Sequence, residues 1–352
     1  MRNRLLAIAL PAALAACGPA TPEPSTSDSP PPAVTAAPPP ATTPAATPPP
    51  APEPTAEEKK KAEAARQLAE DRAKMDADMK AESERWTPEI RAEAKKLAEA
   101  KPTSLKSALE AALKAKYRKP GNADRDKYRH PVETLTFFGL TPKMTVIEWG
   151  PGEGWYTELL APTLATQGKL IVTTADPNGP PDQRSTFYGE RLKRFLDHAP
   201  ELYGKVDRIV VDSKAPKLGV EGKADMVLVI RAMHGMYRDK ILDGFLGEVF
   251  KALKPGGVLG VVQHRANPDA NPDEAAKKGY LPEPLVIKTV EAAGFKLSGK
   301  SEVNANPKDT KDYEEGVWAL PPTLRMKDKD RQKYLDIGES DRMTLKFVKP
   351  KK

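Results

Sequence analysis

The 352-residue chain carries 56 Lys and Arg against 49 Asp and Glu, a formal net charge of +7. The two signs are interleaved throughout and no basic-aromatic patch appears, so the excess does not mark a nucleic-acid binder. One cysteine excludes an intramolecular disulfide, and four histidines without ligand spacing argue against a metal site.

Arg2 and Arg4 precede an apolar stretch, Leu5 to Leu14, followed by Leu14-Ala15-Ala16-Cys17. A basic start, a short apolar segment and small residues before a cleavage point describe a secretory signal, too short to span a bilayer. With cysteine directly after the small residues, the segment resembles a bacterial lipobox. That resemblance implies a signal peptide over 1–17 and acylation of Cys17, whose several acyl chains would anchor the mature chain to a membrane. An ordinary cleaved signal is the alternative. Gly18 in place of aspartate points to the outer membrane, with the protein on the periplasmic face of the envelope. The mildly basic surface then suits anionic envelope polymers.

Residues 18–55 are nearly all Pro, Ala, Thr and Ser, with 15 prolines and no Lys or Arg. Such a composition predicts a disordered linker with polyproline II character. At about 3.1 Å per residue it reaches on the order of 100 Å. Residues 56–118 change to Ala, Glu, Lys and Arg and predict charged helices. Leu68, Met75 and Met79 are too sparse for a coiled-coil seam, so the first helix is expected to be solvated. Thr87-Pro88 predicts a second helix start, N-cap then proline. Thr103 or Ser104 predicts a third, with Leu105, Leu109, Leu113 and Tyr117 on one face. Together these helices are expected to cap the domain that follows.

In Val146-Ile147-Glu148-Trp149-Gly150-Pro151-Gly152-Glu153-Gly154 an apolar strand ends in an acid and glycine follows at every second position. Glycine takes positive φ without strain and lets main-chain N–H groups approach a ligand. A helix expected from about Trp155 to Thr166 would direct its positive end to the same place. The dinucleotide fingerprint G-x-G-x-x-G fits Gly150 and Gly152 only, because Trp155 takes the third glycine's place.

Further strands are predicted over Lys169–Thr174, with Asp176 beyond it, and over Arg208–Val211, with Asp212 at its end. Asp225–Ile230 is a continuous apolar run, as in a strand buried on both faces. Ile241–Leu253 has apolar residues four apart and reads as a helix. Lys254-Pro255-Gly256-Gly257 is expected to stop it and feed the strand Val258–Val262. Alternating strands and helices predict an α/β fold, a doubly wound, mainly parallel sheet with its ligand crevice at the carboxyl ends of the strands.

The E-x-G-x-G-x-G turn resembles motif I of the class I S-adenosylmethionine (SAM) dependent methyltransferases, and L-K-P-G-G-x-L resembles the turn before that family's fifth strand. The resemblance implies a seven-stranded Rossmann-like domain over 119–350. Its last strands would be Phe295–Val303 and Met343–Val348, the latter antiparallel. It implies SAM as cofactor, with Gly150, Gly152 and Gly154 against the methionine and ribose, Glu148 near the amino-acid end, Asp176 on the ribose hydroxyls and Asp212 near adenine.

Methyl transfer requires alignment of a nucleophile and, for some acceptors, removal of its proton. His234, in the segment after the fourth strand, titrates in the range of a base, and Tyr237 could orient a substrate oxygen; a histidine hydrogen-bonded at a strand end is the alternative. N-P-P-[YF], the signature of amino-group methylases acting on adenine or glutamine, is absent. Asp126–Pro131, Asn304–Asp309 and Glu339–Met343 resemble segments of a family of exported bacterial methyltransferases of unassigned substrate. Tyr128, Arg129, Asn306, Lys308, Asp309 and Arg342 would then line the crevice, or else form buried ion pairs that lock the long insertion 304–341.

Export and cofactor pull in opposite directions, since SAM is made in the cytosol. Three readings follow. The first is an envelope-tethered SAM-dependent methyltransferase acting on a small molecule or envelope component. The second is a non-catalytic SAM or nucleoside binder of the same fold, and the third a dinucleotide-dependent oxidoreductase.

Overall fold

Strand order fixes where a ligand can sit. In the computed structural model, which describes residues 54–351, seven strands form one sheet ordered β3-β2-β1-β4-β5-β7-β6. They are β1 (Thr145–Trp149), β2 (Lys169–Thr174), β3 (Asp207–Val210), β4 (Ala224–Ile230), β5 (Leu253–His264), β6 (Lys296–Ser301) and β7 (Arg342–Val348). The first five run parallel, and β7 is antiparallel to both β5 and β6. The chain winds outward from β1 to β2 and β3, then returns to β4 on the other side of β1. That reversal opens a crevice at the carboxyl end of β1.

Successive residues of the central strands feed opposite faces, and both faces are covered. Val146, Leu170, Met226 and Leu228 pack with α2 (Pro88–Glu99), α3 (Leu105–Lys114), α5 (Pro131–Phe138, directly after the short α4, Asp126–Arg129), α6 (Thr157–Leu164), α7 (Arg184–Asp197) and α8 (Pro200–Tyr203). Ile147, Ile171, Val227, Val229 and Leu259 pack on the other side. There they meet α9 (Met233–Arg238), α10 (Leu242–Ala252), α11 (Pro272–Lys277) and α12 (Glu283–Ala292). Two-sided burial is why these strands read as unbroken apolar runs.

The Lys254–Gly257 turn departs from expectation. These residues belong to β5 itself, whose pairing with β4 is irregular between Ala224 and Met226. Lys254 Nζ lies 2.6 Å from Asp225 Oδ1, and Asp225 Oδ2 accepts from Thr145 N at 2.8 Å. The Gly256 N–H donates to Lys349 O at 2.8 Å. The turn therefore ties the amino ends of β1, β4 and β5 together, far from the crevice.

The first helix, α1 (Ala56–Arg85), opens with a capping box in which Thr55 and Glu58 satisfy each other's backbone N–H groups. It is not solvated on every side. Leu68 and Met75 are buried with Phe187 of α7, and Asp71, Arg72 and Asp76 pair with Arg184, Glu190 and Arg194. Two apolar side chains seven residues apart suffice because α7 supplies an aromatic ring to receive both. Thr87 caps α2 with Pro88 at its first position, and Ser104 caps α3. Tyr117 lies beyond the end of α3, where its buried hydroxyl donates to Glu158 O at 2.8 Å. The helices and the sheet form one compact unit.

The signal segment, Cys17 and the linker up to Glu53 lie outside the described residues. Among the described residues no helix is long and apolar enough to cross a membrane, and no group of three His, Cys, Asp or Glu is arranged to hold a metal.

Candidate functional site

At the carboxyl end of β1 the chain turns through Gly150, Gly152 and Gly154, with φ of 55°, 64° and 80°. The Gly150 N–H donates to Thr173 Oγ1 at 2.9 Å, which pins the turn to β2. A Cβ added at Gly150 or Gly152 would meet nothing within 4 Å, so both glycines face open space. Gly154 differs, since a Cβ there would lie 2.3 Å from the Phe195 ring. Its missing side chain admits α7 against the turn.

Trp155 shows why the third glycine of a dinucleotide site is missing. Its Nε1 donates to Asn122 O at 3.0 Å, and its ring lies 5.5 Å from the Arg118 guanidinium and 4.8 Å from that of Arg129. The indole thus clamps the segment ahead of β1 onto the glycine turn. The small residue that close helix–strand packing needs in a dinucleotide fold is replaced by an anchor.

Glu148 sits beneath the turn, 3% exposed, with Oε2 accepting from Thr157 Oγ1 at 2.7 Å. Burial pushes its carboxyl up to about 7, against the opposing pull of that hydrogen bond. Asp176 and Asp212 lie past the ends of β2 and β3, both exposed. Each uses one oxygen to hold its own loop: Asp176 Oδ1 accepts from Asn178 N and Asp212 Oδ1 from Lys214 N, both at 2.8 Å. Sequence reasoning placed all three acids at strand ends, and there they stand. The near-neutral titration of Glu148 depends on tertiary burial, which no local pattern announces.

Beside Gly152 a cavity of about 270 Å³ lies between α1 and α7, lined by Met75, Met79, Phe187, Tyr188 and Arg191 among others. The helix expected to be solvated therefore forms one wall of a space next to the glycine turn.

Beyond β4, Arg231 adopts φ of 59°, and its N–H donates to Val262 O at 2.6 Å. His234 follows on α9, its ring 5.9 Å from those of His264 and Trp318. Gln263 Nε2 lies 3.3 Å from His234 Nδ1. Burial drives the imidazole down to about 4, so His234 is neutral at physiological pH and does not titrate in the range expected of a base. Tyr237 packs half-buried against the apolar core below α9. His264 is buried at the end of β5 with Nδ1 2.5 Å from Ser340 Oγ, and burial holds it well below the usual imidazole range.

The insertion between β6 and β7 includes α13 (Arg331–Ile337), and its base is tied down by the residues the sequence singled out. Asn306 Nδ2 donates to Ile337 O at 2.8 Å and Glu339 O at 2.7 Å, and Lys308 Nζ donates to Asp336 O at 3.2 Å. Asp309 Oδ2 accepts from Asp341 N at 2.8 Å. Arg129 and Arg342 are buried on Glu339, with Nε 3.0 Å and Nη1 2.9 Å from its carboxylate respectively. Tyr128 offers its carbonyl to Arg342 Nη2 at 2.6 Å. These residues form a locked, largely buried network at the crevice's rim. The sequence identified the members, whereas Glu339 as the shared partner of Arg129, Arg342 and Asn306 emerges only from the fold.

A scan against protein-family models finds no match, and neither does a search of curated proteins. Among solved structures the chain is similar to a SAM-dependent methyltransferase from Aquifex aeolicus, at 17% identity over 69% of this chain and 98% of that one, with a TM-score of 0.41. It is also similar to an O-methyltransferase family protein from Burkholderia thailandensis, at 17% identity over 68% and 62% of the two chains and a TM-score of 0.40. A third is an S-adenosylmethionine-dependent methyltransferase from Mesorhizobium loti, at 11% identity over 61% and 95%, with a TM-score of 0.39. At these scores the class of the fold rests on this chain's own strand order and glycine turn, which are those of a Rossmann-like α/β domain with an antiparallel seventh strand.

Proposed function

We propose that the chain is a SAM-dependent methyltransferase held in the bacterial envelope by an acylated Cys17, acting on a small molecule or an envelope component. One observation carries the reading: Gly150 and Gly152, at the sheet's reversal point, leave open space where any other residue would place a side chain. The backbone of these glycines would lie along the cofactor's methionine and ribose, with Glu148 toward its ammonium, Asp176 toward the ribose hydroxyls and Asp212 toward adenine. When bound, the cofactor supplies an electrophilic methyl group on a sulfonium. The chain's own part is to orient the acceptor and exclude water. A neutral His234 suits this task, because a hydrogen bond from an uncharged imidazole orients an acceptor without adding positive charge next to a sulfonium.

Calorimetric titration of the purified protein with SAM, S-adenosylhomocysteine and NAD tests the reading, followed by methyl-release assays on envelope extracts. Micromolar binding of the two sulfur nucleosides with turnover is expected. Binding without turnover favours the non-catalytic alternative, and binding of NAD alone overturns both in favour of an oxidoreductase.

A further inference from the structure

Four arginines converge on one carboxylate at the rim of the crevice. Glu339 Oε1 lies 3.1 Å from Arg125 Nε and 3.0 Å from Arg129 Nε, while Oε2 lies 2.9 Å from Arg342 Nη1 and 4.0 Å from Arg231 Nη1. They arrive from three separate places, the segment ahead of β1, the tip of β4 and the start of β7. Among the described residues none of the four forms a salt bridge with any other carboxylate. Four positive charges therefore share one full negative charge.

Arg129 makes the imbalance concrete. It is 2% exposed, and both of its Nη atoms are buried without a hydrogen-bond partner. A guanidinium has five donors and no means of shedding its charge in a protein. Leaving two of its nitrogens unmet inside the fold is costly unless something else meets them. Arg231 keeps 27% of its side chain exposed and Arg125 18%, so the cluster is open to solvent at these two arginines. The left-handed backbone of Arg231 at the strand tip holds the guanidinium toward Glu339 at a conformational cost.

We propose that Arg129 and Arg231, backed by Arg125 and Arg342, form a receptor for an oxyanion, a carboxylate or phosphate carried by the methyl acceptor. Planar guanidinium groups suit both anions because two N–H donors match two oxygens. The position favours the acceptor over the cofactor's own carboxylate: Arg231 lies three residues before His234, while the cofactor acids at β2 and β3 lie on the opposite side of β1. Assignment of the anion to a methyl acceptor rests on the methyltransferase reading, whereas the receptor itself does not.

The test is calorimetry on the full-length protein with inorganic phosphate and with acetate, in parallel with S-adenosylhomocysteine and methylthioadenosine, which lacks the amino-acid moiety. Arg231→Asn removes the guanidinium at a position whose positive φ asparagine tolerates, and Arg129→Gln keeps donors but removes the charge. Saturable anion binding, weakened at least tenfold by Arg231→Asn with S-adenosylhomocysteine affinity changed less than twofold, is the expected result. Should Arg129→Gln unfold, Arg231→Asn alone decides the matter. Failure of both anions to bind the wild type, or equal affinity in the variant, overturns the receptor. Weakened S-adenosylhomocysteine with unchanged methylthioadenosine overturns the assignment to the acceptor, because the arginines then serve the cofactor's carboxylate. Loss of nucleoside binding in the wild type counts against the methyltransferase reading alone.

Discussion

Glu148→Gln should make the protein more stable at neutral pH. The carboxyl is buried, and its pKa rises from 4.5 to about 7 on folding. The native state therefore holds a proton between these values that the unfolded chain has released, and stability falls as pH rises through that window. The contribution is fully present below pH 4.5 and gone above about pH 7. A shift of this size corresponds to about 3 kcal/mol at 1.36 kcal/mol per unit. Some 2 kcal/mol of it is lost between about pH 5 and pH 7. Glutamine is nearly isosteric, can still accept from Thr157 Oγ1 and has no proton to lose, so the variant should lack this slope. Urea melts of wild type and Glu148→Gln at half-unit steps from pH 5 to 8 measure the difference, in which other titrating groups cancel. The variant's advantage should widen with rising pH and level off by about pH 8. Parallel curves, or an advantage that widens toward acid, would refute the burial argument.

The glycines of the turn can be separated by substitution. Gly154→Ala both drives a methyl into the Phe195 ring and strains a positive φ, and should cost about 3–4 kcal/mol in a thermal or urea melt. Gly152→Ala should cost no more than about 1–2 kcal/mol for its positive φ, yet weaken SAM binding at least tenfold; equal behaviour of the two would contradict their separate roles. Phe187→Ala should cost about 3 kcal/mol and release α1, visible as faster hydrogen exchange over 56–85, and unchanged protection there would mean that the ion pairs hold the helix. Cys17→Ser should move the protein from the membrane to the soluble fraction on cell fractionation, and continued membrane association would contradict acyl anchoring.

Elements whose identity depends on local pattern were legible in the sequence. The strands β1, β2 and β4 lie within a residue or two of their expected bounds, β4 because burial on both faces leaves an unbroken apolar run and β2 through its β-branched content, while β7 lies where the methyltransferase resemblance implied it. The caps at Thr87 and Ser104 were legible because capping is a matter of neighbouring residues. Pairing across the chain was not. Lys254–Gly257 has the composition of a turn, yet Asp225 and Lys349 draw it into the sheet. Leu68 and Met75 look too few to dock a helix until Phe187 is placed beneath them.

The site divides along the same line, and the division bears on function. Its glycines and acids follow from position at strand ends, so their places could be read in advance. What sets their chemistry is desolvation: the same carboxylate would titrate near 4 in water, and the same imidazole near 6.5. Inside the fold Glu148 rises to about 7 while His234 falls to about 4. At pH 7 the site therefore presents a neutral histidine, a half-protonated acid and an excess of guanidinium charge. A cationic cofactor bound there would pull the Glu148 proton off, so its binding at about pH 6.5 should release a fraction of a proton that Glu148→Gln does not release. Calorimetry in buffers of different ionisation enthalpy reads that proton directly. Equal release from both proteins would place the cofactor's ammonium somewhere other than Glu148.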